Sequence, residues 1–189
     1  TSGPIVQPAP LIEAGGVVGA GLSRPAVRAL APGGIASVFG GGFAPPGTLR
    51  RAGQEDLVNG RVPANLIGVC VSVGSARAPV FSVTPTQVNF QVPAVAAAAS
   101  VPVRVITGCG TATEAQSAPE SVAIQAAGPE FFYFTLSQDG RNPVAAVSAV
   151  SGEYIGRADL ISGAAFRPAR PGEVLSIYAT GLGAVQPTV

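Results

Sequence analysis

Histidine, lysine, tryptophan and methionine are all missing from this 189-residue chain, and its eleven basic residues are all arginine. Without imidazole there is no Ser-His-Asp or Cys-His unit, no histidine base and no His-containing zinc site. Without lysine there is no Schiff base, no P-loop phosphate lysine and no Lys–Asn cross-link. The two cysteines are too few for a Cys₄ zinc centre. Charged residues make up 11% of the chain, against roughly 25% in ordinary soluble domains. With a formal net charge of +1 and scattered arginines, the chain lacks the basic footprint that nucleic acid requires. No apolar run approaches the roughly 18 to 20 residues of a membrane-spanning helix. The chain also lacks an N-terminal Met and a charged-then-apolar leader, and reads as a processed product or a fragment.

What is present is glycine (25 residues), proline (18) and a hydrophobic fraction of 47%, with a mean hydropathy of +0.43. Disordered chains lack apolar surface to bury, so the glycines and prolines are expected to punctuate many short strands. Val69, Val71 and Val73 alternate with Cys70 and Ser72, and Val88, Phe90 and Val92 alternate with Gln87, Asn89 and Gln91. Val101, Val103 and Val105 repeat the scheme. That period of two, with turn signals every 8 to 12 residues, predicts a β-sandwich. Val17 and Val18 suggest a short edge strand, and Ile35 to Phe39 a second strand. Residues 45–65 suggest a long exposed loop with a helical turn at Gln54 to Val58, and the alanines at 96–99 more loop. In an oxidising compartment Cys70 and Cys109 would form one disulfide closing a loop of about 40 residues. Two unpaired thiols are the alternative.

The chain also repeats itself. Aligned without gaps, "PGGIASVF" from Pro32 matches "PGEVLSIY" from Pro171. Pro32 pairs with Pro171, Gly33 with Gly172, Ser37 with Ser176 and Gly42 with Gly181. Ile35, Val38, Phe39 and Phe43 pair with Val174, Ile177, Tyr178 and Leu182. A repeat at constant offset predicts two related units. The stretches "TPTQVNFQVP" (84–93), "LAPGGIASVFG" (30–40) and "RPGEVLSIYATGLG" (170–183) resemble the Solibacter-type uncharacterised C-terminal domain, an Ig-like region of secreted acidobacterial proteins. The resemblance runs from about Gly15 to Gly183. It implies secretion and Ig-like modules, and it carries no catalytic residues. The loop at 45–65 and the cysteine pair depart from the family pattern.

The expected fold is therefore all-β: two Ig-like β-sandwich modules in tandem, the second incomplete. A Pro-rich arm spans 1–12, module 1 spans 13–127 and module 2 spans 128–189. In module 1 about five strands follow the repeated stretch, whereas in module 2 that stretch is nearly the last. A sandwich without those strands exposes apolar faces and unpaired edges. Either the missing strands belong to a longer polypeptide, or a neighbouring subunit supplies them by donor-strand complementation. Ile5, Val6, Leu11 and Ile12 of the arm are the candidate donor residues. Phe131, Phe132, Tyr133 and Phe134 are further candidate contacts, since half of four consecutive strand residues point away from any one core. A strand packed between two apolar layers is the plainer explanation of the same run.

Catalysis finds no footing. Asp139 and Asn142 in "SQDGRN" are too few for a calcium loop and fit a hairpin turn better. "GAGLSR" and "GGIASVFGGG" do not complete a phosphate-binding fingerprint. Nothing in the spacing of Glu55, Asp56 and Glu153 places them across a cleft, and Arg50 and Arg51 read as solvated charges. The expectation is an extracellular or cell-surface structural protein with no cofactor or metal, assembling with copies of itself into a filament or surface layer. The alternative is a non-catalytic adhesion or glycan-binding module, with Tyr133 and Tyr154 as its rings.

Overall fold

A computed structural model describes residues 9–137 and 142–183. The first eleven strands are β1 (Leu11–Gly19), β2 (Ala29–Leu30), β3 (Ile35–Gly41), β4 (Arg50–Arg51), β5 (Val69–Val73), β6 (Ala76–Ala78), β7 (Val80–Val83), β8 (Gln87–Gln91), β9 (Ala98–Thr107), β10 (Ala115–Gln116) and β11 (Glu120–Ile124). They form two sheets, ordered β1-β3-β8-β7-β4 and β2-β11-β9-β5-β6, with β10 beside β9. The alternating residues of each strand meet between the sheets. Val17, Ala36, Val38, Val88 and Phe90 from one side join Val71, Val73, Val103, Val105 and Ile124 from the other in one core. Residues 9–127 are thus a closed β-sandwich.

Cys70 on β5 is disulfide-bonded to Cys109 just beyond β9. The two strands are already neighbours, with Cys70 opposite Ile106. Asn59 and Gly60, with φ of 52° and 75°, form a tight hairpin closed by two hydrogen bonds between Val58 and Arg61. Positive φ at both central positions is what an Asn-Gly turn of this kind requires.

Several expectations need correction. The arm does not extend to residue 12. Leu11 and Ile12 begin β1, opposite Gly41 and Gly40, and Ile12 is buried in the core. A bulge between Ile12 and Val17 lets the strand pass Gly15 and Gly16 and keep pairing. Leu11 and Ile12 therefore belong to the sandwich, while Ile5 and Val6 lie outside the described residues. The 45–65 segment is more structured than a loop: β4 pairs with β7, and a 3₁₀ turn covers Gln54–Asp56. β9 begins at Ala98, inside the alanine run.

The C-terminal strands are short: β12 (Glu130–Phe131), β13 (Ala146–Ser148), β14 (Tyr154–Ile155), β15 (Phe166–Arg167), β16 (Leu175–Ile177) and β17 (Ala179–Thr180). They form a four-stranded sheet, β15-β14-β13-β16, and a ribbon, β12-β17. The aromatic run does not make one long strand. Only Glu130 and Phe131 are strand residues, Phe132 N–H donates to the Tyr178 carbonyl, and Tyr133 makes an isolated bridge to Val144.

The ribbon is fastened to the sandwich. Glu130 is buried, and its carboxylate accepts hydrogen bonds from the Gly21 N–H (2.9 Å) and the Ser23 N–H (2.8 Å). Ile35 N–H, at the start of β3, donates to the Thr180 hydroxyl at 2.7 Å. At Gly181 a Cβ would collide with the Gly128 carbonyl, whose own N–H donates to the Gly181 carbonyl. Removing the Glu130 carboxylate leaves two backbone donors without their acceptor. Glu130→Ala is expected to lower unfolding stability by about 2 kcal/mol, measured by urea denaturation. No change would mean that the joint is not held by this group.

Candidate functional site

The repeat is real in three dimensions. Gly33 and Gly172 adopt φ of 78° and 77°, and Gly42 and Gly181 both adopt 71°. On β3, Ala36, Ser37 and Val38 face Gly19, Val18 and Val17 of β1. On β16, Leu175, Ser176 and Ile177 face Ser148, Val147 and Ala146 of β13. So β16 pairs antiparallel with β13 on one side, as β3 does with β1.

The far side differs. Next to β3 lies β8, with Ala36 opposite Phe90, Ser37 opposite Asn89 and Val38 opposite Val88. Next to β16 there is no strand among the described residues, so β16 is a sheet edge. The surroundings of equivalent side chains differ accordingly. Val38 is 0% exposed and Ile177 is 53% exposed; Phe43 is 1% exposed and Leu182 is 69% exposed. Val174 and Tyr178 are exposed as well. The residue types are core types in both copies, but among the described residues only the first copy has a facing sheet.

Strand alternation assigns the edge backbone groups. Tyr178 N–H donates to the Ala145 carbonyl, and Ala149 N–H donates to the Val174 carbonyl. Even-numbered residues of this strand therefore turn their backbone groups toward β13, which directs those of Leu175 and Ile177 outward. An unpaired row of this kind is a template for another strand.

Behind this edge, polar and aromatic contacts hold the small sheet together. Arg167 bonds Glu153 through Nε at 2.9 Å and clamps Glu173 through Nη1 at 2.9 Å and through Nη2. The Arg167 hydrogen bond, with a further one from the Arg170 N–H, holds the Glu173 carboxyl down to about 2. Hydrogen bonds from Ser151 and then Arg167 also lower Glu153. A carboxylate depressed by folding contributes stability that is complete above its ordinary range and lost as pH falls through its folded value. The Glu173 contribution should therefore hold down to about pH 4.5 and vanish as pH passes through about 2. Carboxyl-carbon NMR should give a Glu173 midpoint near 2; a midpoint in the ordinary carboxylate range would contradict the clamp. Phe134 meets Tyr154 and Phe166 edge-on at centroid distances of 5.7 Å and 4.9 Å. Tyr154 is thus committed on one face to this cluster, and Tyr133 is half-buried. Of the four consecutive aromatics only Phe131 is exposed.

A second feature is a groove of about 780 Å³ whose lining includes Pro32, Asn59, Arg61, Arg77, Pro79 and Gln91 and contains no carboxylate. Arg61 sits on the Asn59–Gly60 hairpin and Arg77 on β6.

The catalytic candidates stay apart from any common site. Arg50 bonds Asp56 at 2.6 Å and lies 3.4 Å from Glu55, while Glu153 pairs with Arg167 in the other unit. Asn142 accepts from the Ser137 N–H and hydroxyl at 2.6 Å and 3.0 Å, as a turn residue does; Asp139 lies outside the described residues. Among the described residues no group of three His, Cys, Asp or Glu could hold a metal, and no helix is long and apolar enough to cross a membrane. Sequence reasoning missed Glu130, whose partners lie more than 100 positions away, and the Arg167 clamp. It gave Ser176 only as a repeat position, without a role. Comparison with family models, curated proteins and solved structures found no match to this chain.

Proposed function

We propose that the chain is a non-catalytic structural subunit of the extracellular space or cell surface. Its N-terminal sandwich serves as a rigid block, and its C-terminal unit accepts β-structure from another polypeptide, joining copies into a filament or surface layer. The observation that carries this reading is the contrast between Val38 and Ile177, equivalent in the repeat yet buried in one unit and open in the other. Covering an apolar side chain of this size is worth about 2 kcal/mol. Ile177 at 53% and Leu182 at 69% exposure together offer on the order of 2 kcal/mol before the cost of association is subtracted. An edge contact between unlike surfaces propagates as a fibre when the rotation from copy to copy does not close a ring. The disulfide suits an oxidising compartment.

Sedimentation and electron microscopy across a concentration series test the proposal. Mass should rise with concentration, fibres should appear, and Ile177→Asp should suppress both. A chain that stays monomeric at its highest attainable concentration would sink it.

The groove supports a second reading, a non-catalytic adhesion or glycan-binding module for acidic saccharides. Two guanidinium groups with no carboxylate in the lining suit a uronate. On a glycan array, binding should favour carboxylated sugars and weaken in Arg61→Ala and Arg77→Ala. Equal responses to neutral and acidic sugars would remove this reading.

A further inference from the structure

Resting on the reading of the groove as a site for a carboxylated sugar, we infer that both units build it. The sandwich supplies the charge, and the C-terminal ribbon sets one edge. Thr180 lies outside the lining and is the positioning residue that joins the two.

The charge comes from Arg61 and Arg77, both exposed. Among the described residues the Arg61 guanidinium has no hydrogen bond or ion pair. Arg77 has Glu114 as a charged neighbour outside the lining. A sugar carboxylate therefore meets at least one guanidinium whose fork is unoccupied. The side-chain amides of Asn59 and Gln91 line the same groove and suit sugar hydroxyls, and Pro79 and Pro93 offer apolar surface to the ring C–H groups.

The edge is made differently. Pro32 and Gly33 line the groove, and so does Gly183, which follows β17. The Gly183 carbonyl lies beside Gly33, 4.0 Å from where a Cβ would stand. At the next step the two backbones touch, since a Cβ on Gly34 would come within 3.1 Å of the Gly181 Cα. On the sandwich side Gly33 N–H donates to the Val92 carbonyl, and Gln91 Nε2 donates to the Gly33 carbonyl at 3.1 Å. On the ribbon side the tie is the Ile35 N–H donating to the Thr180 hydroxyl. This one hydrogen bond stands a few residues from both Gly33 and Gly183 and sets the edge they share. Thr180 is buried, so removing its hydroxyl leaves the Ile35 N–H without its acceptor. Binding and the joint are then linked in both directions. A ligand that touches both parts tightens the joint, and loosening the joint weakens the ligand by the same factor.

The test titrates the full chain, at a dilution where it is monomeric, with trigalacturonate and with its neutral methyl ester. Trigalacturonate should bind and the ester should not. Thr180→Val removes the hydroxyl at nearly constant volume and should weaken trigalacturonate about fivefold. Thr180→Ser keeps the hydroxyl and should bind as the unaltered chain does. Amide protection at Val38 and Val88, both in the core, should be the same in all three proteins, showing an intact sandwich. Saturating trigalacturonate should slow exchange of the Ile35 N–H, which a ligand held by the sandwich alone would leave unchanged. If Thr180→Val binds as tightly as the unaltered chain, Thr180→Ser as weakly as Thr180→Val, or Ile35 exchange does not respond, the inference falls and the groove reading stands. If the unaltered chain binds acid and ester alike, or neither, the acidic-saccharide reading falls and takes the inference with it.

Discussion

Truncating Phe43 to alanine should cost the fold about 3–5 kcal/mol, whereas truncating its repeat partner Leu182 should cost less than about 0.5 kcal/mol. Both are large apolar residues, each following a strand by the same interval in the repeat. Phe43 is enclosed in the core with Val38, Val88 and Phe90, so its removal leaves a cavity as well as losing transfer energy. Leu182 is mostly in water already and has little to lose. Urea midpoints of the two variants, measured on the monomer, make the comparison. Similar losses at the two positions would show that the C-terminal unit is as well covered as the sandwich. In the assembly proposed above, the Leu182→Ala penalty should grow, since a partner would then bury the same side chain.

Removing the disulfide should be as damaging. In the chain-entropy account a cross-link closing about 40 residues contributes about 4 kcal/mol. The closed loop contains most of β5 and all of β6, β7, β8 and β9, so the loss falls on the centre of the sandwich. Double replacement, Cys70→Ser with Cys109→Ser, should lower the urea midpoint by a corresponding amount. The Cys70 and Cys109 backbones should remain in place, since Cys109 N–H donates to the Gly68 carbonyl and Asn65 Nδ2 to the Cys109 carbonyl. An unchanged midpoint would mean that the unfolded chain is equally constrained without the bond.

The strands that were legible in the sequence are those with one wet and one dry face. In "VCVSV" and "QVNFQ" the alternation alone gave β5 and β8 to the residue or close to it. β4 was hidden because Arg50 and Arg51 carry no apolar signal and join the sheet through backbone bonds to β7. The start of β9 was hidden because alanine favours no strand by itself; pairing with Ile124 holds Ala98 there. The arm was drawn too long because Pro8 and Pro10 argue for an extended linker, while Leu11 and Ile12 owe their place to the glycines of β3. Glu130 could not be found from local pattern at all, because what buries it is a turn following β1. The open edge was legible only through the repeat. Composition alone makes Leu175, Ile177 and Leu182 look like core, and only alignment with Ala36, Val38 and Phe43 shows what they lack.

Amide hydrogen exchange on the monomer probes that lack most directly. In β3, Ala36 and Val38 should be strongly protected, since their N–H groups face β8. In β16, Leu175 and Ile177 should exchange nearly as fast as a free peptide, with Ser176 and Tyr178 slower because they face β13. Protection of Leu175 and Ile177 equal to that of Ala36 and Val38, in a protein shown to be monomeric, would contradict the account.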